Sequence, residues 1–217
     1  MNCNNISRIS IVTIGYILCV SLYFCRSLFD IDSRLWLDVT KVLPVSFLFV
    51  ASWLSGGNKL LPIALLLSAI GDFAGEEHHF IWQIAMFAMA HIAFICYFVR
   101  RAHIDRLAKI LIPLWVVILI PLGVYVLVNI GSLTLKVACS VYMLLIGSMA
   151  AATMAIKSPY RLWYIVAALI FVLSDYCIAW NKFVEHFSYA GVVIMSTYFA
   201  AQFILSLLYQ IDSNLSK

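Results

Sequence analysis

The chain has 217 residues, of which 65% are hydrophobic and only 11% charged, against about 25% charged residues in an ordinary soluble domain. Spans of about 20 residues with short connections would use up the whole length in about eight crossings, which leaves no room for a soluble domain beside them. A net charge of +4, scattered over connections instead of gathered on one face, argues against a nucleic-acid partner and for the basic bias of cytoplasmic membrane loops.

Continuously apolar runs predict transmembrane helices at 9–29, 39–55, 60–75, 80–100, 107–129, 132–156, 160–180 and 186–210. Their unbroken apolarity excludes a membrane barrel, whose strands alternate. The expected fold class is therefore all-α, a polytopic transmembrane helical bundle of about eight spans forming a single domain over 1–217. The first run, flanked by Arg8, continues apolar to Phe29 with no small-x-small cleavage site, and reads as a retained span. The second and third runs carry Pro44 and Pro62 and are separated by Ser55-Gly56-Gly57-Asn58, the mark of a hairpin of two short spans. Lys59, Arg100, Arg101, Arg106, Lys109, Lys157 and Arg161 fall on one side together with Arg8 and Lys217. The other side holds Arg26, Arg34, Lys41, Lys136 and Lys182, so both termini are expected in the cytoplasm. None of the six cysteines forms a C-x-x-C pair, and most read as small packing residues.

Eight of the ten acidic residues, Asp38 among them, fall in connections or flanks, and two lie inside spans: Asp72 in span three and Asp175 in span seven. An acid within a span costs at least about 2.5–3.5 kcal/mol on insertion scales, so it ordinarily faces a polar cavity and marks a functional site. The two spans run in the same direction, which puts both carboxyls in the half away from the cytoplasm. Ser68 shares a helix face with Asp72, and Gly71 removes bulk beside it. Lys41, at the start of span two, could pair with an aspartate, hold a phosphate or snorkel to the headgroups. His91 lies deep in span four between Phe87 and Phe94 and is a candidate proton relay. Tyr198 and Gln202, four apart in span eight, present two hydrogen-bonding groups on one face, while Ser174 precedes the second acid. Tyr142 and Asn181 read as packing or interfacial residues. The outer connection Glu76-Glu77-His78-His79 and His186 contain zinc-type ligands, but not at the i, i+4 spacing of a catalytic pair, and read as solvated loop residues. Spans three and four share a faint order of polar residues with seven and eight, as a parallel repeat would.

Lys41-x-x-Pro44, Ser68-x-x-Gly71-Asp72, Phe87-x-x-Ala90-His91, Phe171-Val172-Leu173-Ser174-Asp175 and Thr197-Tyr198-x-x-Ala201-Gln202 occur in the order seen in the YhhN family of integral membrane proteins. The resemblance covers about residues 40–205. It departs at Phe80-Ile81-Trp82-Gln83, where that family more often has a glycine after the aromatic. Members of the family that have been characterised are lysoplasmalogenases, so the resemblance implies a hydrolase of the cell membrane. Its partner would be a lysophospholipid with a vinyl ether chain, cleaved to a fatty aldehyde and glycerophosphoethanolamine or glycerophosphocholine; the expected site needs no cofactor and requires no metal, although the two acids and His91 are groups that could hold one.

The residues fit that chemistry on their own terms. A vinyl ether is hydrolysed by protonation on carbon, giving an oxocarbenium ion that water captures as a hemiacetal, which collapses to aldehyde and alcohol. One protonated aspartate can supply the proton while the other, ionised, stabilises the cation and activates water, as two carboxyls do in glycosidases. Asp72, Asp175 and His91 are the expected catalytic residues, and Lys41, Ser68, Ser174, Tyr198 and Gln202 the expected substrate-binding ones. A proton-coupled transporter would also place carboxyls and a histidine in a bundle, and a lipid-binding scaffold would bind without turnover.

Overall fold

A computed structural model describes residues 3–26, 33–76 and 79–215, and among these it contains eight α-helices. They are α1 (Cys3–Cys25), α2 (Arg34–Ser55), α3 (Leu60–Glu76), α4 (Phe80–Val99), α5 (Arg106–Val128), α6 (Leu133–Met154), α7 (Arg161–Phe183) and α8 (Ala190–Leu215). Seven are long and apolar enough to cross a membrane. The remaining one, α3, has 17 residues, the shortest length that spans a bilayer core. The chain is a multi-pass membrane protein, as its composition requires.

Each predicted span has its helix, and the boundaries that moved have local causes. α2 starts at Arg34, earlier than the apolar run, behind Ser33 in extended backbone. Thr40 donates its hydroxyl back to Trp36 O at 2.8 Å, a self-contained hydrogen bond that lets a polar residue sit inside a membrane helix. This moves Asp38 out of the flank expected for it and into the second turn of α2, where it is only 9% exposed. Asp212, likewise counted as a flank, lies buried inside α8. A scale that scores charges as non-membrane ends a span too early at such positions. α8 starts at Ala190, later than predicted, because Tyr189 has a φ of 64°, a left-handed backbone that no helix continues through. α2 ends at Gly56, whose φ of 87° is the αL cap that glycine adopts without strain. The first span ends at Cys25; residues 27–32, including Phe29, lie outside the described residues.

The chain divides into two compact units. The first comprises residues 1–90 and 206–217, with α2 packed on both α1 and α3. Within it Ser52 and Ser206 share a hydrogen bond of 2.8 Å, and Tyr209 donates to Asn58 O at 3.0 Å. The second comprises residues 91–205, with α5, α6 and α7 packed side by side. There Trp115 Nε1 donates to Gly147 O at 3.0 Å across α5 and α6. The two basic connections of this unit meet: His103 N donates to Ala155 O at 2.6 Å and Lys157 N to Arg101 O at 2.7 Å. They lie at one end of the unit, as the charge pattern requires of two loops on the same membrane side.

Lipid is as apolar as leucine, so helices in a bilayer associate through close packing and hydrogen bonds. The interior accordingly uses small residues: Ala64, Ala90, Ala150, Ala167, Ala168 and Ala201 are fully buried. Large apolar side chains such as Ile110, Leu114, Val117 and Leu162 are exposed and face outward.

Candidate active site

In the second unit, α4, α6 and α7 bring three polar side chains together. Tyr142 of α6 donates its hydroxyl to Asp175 Oδ2 at 2.5 Å, the short distance of a charge-assisted bond. His91 Nε2 of α4 lies 3.0 Å from the same phenolic oxygen and 3.6 Å from Asp175 Oδ2. The phenol has one proton and directs it at the carboxylate, so its oxygen accepts from the Nε2–H of the imidazole. A continuous line of donors thus runs from His91 through Tyr142 to Asp175. The other ring nitrogen, Nδ1, is buried without a partner. The ring of His91 is itself fully buried, its edge against Phe171 at 5.1 Å and against Tyr142 at 5.3 Å between centroids. Burial excludes competing water and strengthens the hydrogen bonds of such a line.

Tyr142 is the residue that sequence reasoning set aside. A tyrosine in an apolar helix looks like packing because its ring dominates its hydropathy. Its partners lie 51 residues before it and 33 residues after it, so no local spacing reveals them.

α8 adds Tyr198 and Gln202. Tyr198 is 3% exposed and meets the edge of Phe171 at 5.6 Å. Gln202 is fully buried, and neither its Nε2 nor its Oε1 has a hydrogen-bond partner. Leaving a buried polar group unsatisfied costs about 1–3 kcal/mol, and such groups in a native structure call for an explanation. Ser174, expected to touch substrate, donates its hydroxyl to Ile194 O at 2.9 Å and ties α7 to α8.

In the first unit, Ser68 and Asp72 line one stripe of α3, fully buried and 3% exposed respectively. Ser68 Oγ is buried without a partner. A Cβ on Gly71 would stand 2.9 Å from the ring of Phe87, closer than packed atoms approach. The missing side chain therefore admits the aromatic of the Phe87-x-x-Ala90-His91 motif beside Asp72, a sharper role than the open approach predicted for it. Gln83, in the segment that departs from the family pattern, makes a similar close approach to a glycine. Its amide lies over Gly75, where a Cβ would come within 2.6 Å of Nε2.

Of the three options open for Lys41, the structure shows a carboxylate partner, but not an aspartate. Its Nζ lies 3.1 Å from Glu76 Oε2, and Arg26 Nη2 lies 3.7 Å from Glu76 Oε1. Glu76 is the last residue of α3 and not part of a loop. Among the described residues no group of three or more histidines, cysteines or acids is placed to hold a metal. Glu77 and His78 lie outside the described residues, while His79 and His186 are exposed.

The comparisons with known proteins agree with the motif order. The chain is 29% identical over 202 residues to lysoplasmalogenase TMEM86B of Homo sapiens, covering 88% of this chain and 83% of that protein. It is 30% identical over 193 residues to lysoplasmalogenase TMEM86B of Sus scrofa, covering 86% and 81%. It is 32% identical over 195 residues to lysoplasmalogenase TMEM86A of Bos taurus, covering 81% and 79%. No solved structure matches the chain. The YhhN family profile matches residues 36–208, a stretch that includes every expected site residue, and the chain belongs to the YhhN family.

Proposed function

We propose that this protein is a hydrolase of the cell membrane that cleaves the vinyl ether bond of lysoplasmalogens. Its products are a fatty aldehyde and the glycerophospho-alcohol, glycerophosphoethanolamine or glycerophosphocholine. The observation that carries the reading is the buried line from His91 through Tyr142 to Asp175, a built device for moving a proton within an apolar interior. Similarity to lysoplasmalogenases over most of the chain supplies the substrate class.

In this reading Asp72 and Asp175 divide the acid and base work. One carboxyl gives its proton to the vinyl carbon that is not bonded to the ether oxygen, and the double-bond electrons form the new C–H bond. The ether oxygen then shares its lone pair with the adjacent carbon as an oxocarbenium ion. The second carboxylate stabilises this cation and removes a proton from the water that adds to it. The resulting hemiacetal loses the glyceryl alcohol, so one water is consumed and no redox change occurs. His91 and Tyr142 act as positioning residues that return a proton to Asp175. Gln202, Tyr198 and Ser68 offer polar groups for water or the glycerol hydroxyl, and Lys41, one of two cations on Glu76, draws the phosphate to the same end of α2.

The test is aldehyde release from purified lysoplasmalogen by the wild type, Asp72→Asn and Asp175→Asn. Full activity in both variants would sink the assignment of the two acids. The proton line also suits a proton-coupled transporter, which the same assay separates: an enzyme turns over in detergent, whereas a transporter needs a sealed compartment.

A further inference from the structure

α2 and α3 frame a lateral groove of about 500 Å³ within the first unit, a volume in the range of ligand sites. Its α2 wall is a single stripe in which Leu35, Asp38, Val42 and Ser46 recur at helical spacing; Leu66 and Phe73 stand on the α3 wall. The eleven steps from Leu35 to Ser46 rise about 16 Å, half of a hydrocarbon core of about 30 Å. The groove is as deep as one leaflet, and only one of its ends is charged. At that end Asp38, 9% exposed, belongs to the lining itself. Lys41 and Arg26 meet Glu76 at the same end of α2 and α3. Asp38 and Glu76 beside Lys41 and Arg26 set both signs of charge side by side, which suits a head carrying both an ammonium and a phosphate better than an anionic one. Asp72 follows on α3 directly before the groove residue Phe73.

From these observations we propose that the groove between α2 and α3 holds the single hydrocarbon chain of a zwitterionic lysophospholipid, head beside Asp38 and Lys41 and chain end toward Ser46 and Leu66. The bond joining chain to glycerol then lies at the level of Asp72. The identity of the chain as an alkenyl ether rests on the proposed hydrolase function; the binding does not. One chain, and not two, fits a groove walled by only two adjacent helices.

The test uses the full-length protein in nanodiscs and a lysophosphatidylcholine carrying a diazirine in mid-chain, with adducts located by peptide mass spectrometry after photolysis. Labelling should concentrate on Val42, Ser46 and Leu66, and excess unlabelled lysophosphatidylcholine should suppress it at least several-fold. The diacyl probe with the same diazirine should not label these positions above background. Ala69→Trp, which fills the groove, should reduce labelling at the same positions, with the thermal transition as a check on folding. Uniform labelling that includes Ile110 and Val117 of α5 and resists competition would mean that bulk lipid covers the groove, and would overturn the proposal whatever the variant does. Groove labelling without aldehyde release would leave the site standing and remove the hydrolase reading; aldehyde release without groove labelling would do the reverse.

Discussion

α3 and α7 each carry one acid inside an apolar helix, and sequence treats the two alike, yet their surroundings differ. Asp175 on α7 is held from outside its own helix, by a phenol from α6 with an imidazole from α4 behind it. Around Asp72, Ser68 one turn back is buried without a partner, and Gly71 beside it gives its space to Phe87. The contrast teaches that an intramembrane carboxyl can be prepared in two ways. A hydrogen-bonded line offers a carboxyl a path for protons, whereas a missing Cβ lets an aromatic ring pack beside one.

The largest effects should come from the acids themselves. Asp175→Asn and Asp72→Asn should each lower kcat for lysoplasmalogen by ~10²–10⁴-fold, the range for a general acid or base. If both serve one reaction, the double variant should be little slower than the worse single variant, because groups acting as a unit are not additive. A double variant whose losses multiply would separate the two regions functionally.

Tyr142→Phe probes the hydrogen-bonded region alone. Removing a hydrogen bond to a charged group costs about 1.5–3 kcal/mol, so kcat should fall about 10- to 100-fold with KM little changed. The pH profile of kcat should change shape, since the phenol that bridges His91 and Asp175 would be gone. An unaltered profile would reduce Tyr142 to packing.

Gln202→Leu should separate stability from function. Replacing an amide with two unsatisfied buried groups should raise stability by about 1–3 kcal/mol, seen as a higher Tm in detergent, while kcat/KM falls. If Tm drops as well, the amide is structural glue. Gly71→Val tests the packed region: the new side chain would strike the ring of Phe87, and overpacking of this kind costs about 1–3 kcal/mol. Chemical denaturation and aldehyde release should both report it.

The smallest effect belongs to the loops. Asp105 caps α5 by accepting from Ala108 N at 2.9 Å and pairs with Arg161 at 2.7 Å. The backbone N–H first, and the guanidinium second, hold its carboxyl below the usual range. A depressed carboxylate contributes stability that is present above its unfolded value of about 3.9 and is lost as pH falls through the folded value. Asp105→Asn should therefore lower Tm slightly at pH 7 and not at all in strong acid. Exposed pairs of this kind are worth little, so a shift of more than a few degrees would point to a larger role for the joined loops.

Composition alone determined the membrane, the helices and their approximate ends, because a bilayer accepts few backbone arrangements and charges are costly in it. The same cost picked out Asp72 and Asp175, and the motif order identified the family. Charge counting failed at Asp38 and Asp212, because a hydropathy profile cannot distinguish an acid beyond a helix from one buried inside it. Only the tertiary structure decided what each polar group does with its hydrogen bonds. It recruited Tyr142, committed Ser174 to Ile194 and Lys41 to Glu76, and left Gln202 with two groups to satisfy. The physical reason is distance along the chain: these partners lie on different helices or far apart in sequence. Helix periodicity carries information over a few residues, whereas a hydrogen bond across helices depends on how the helices pack.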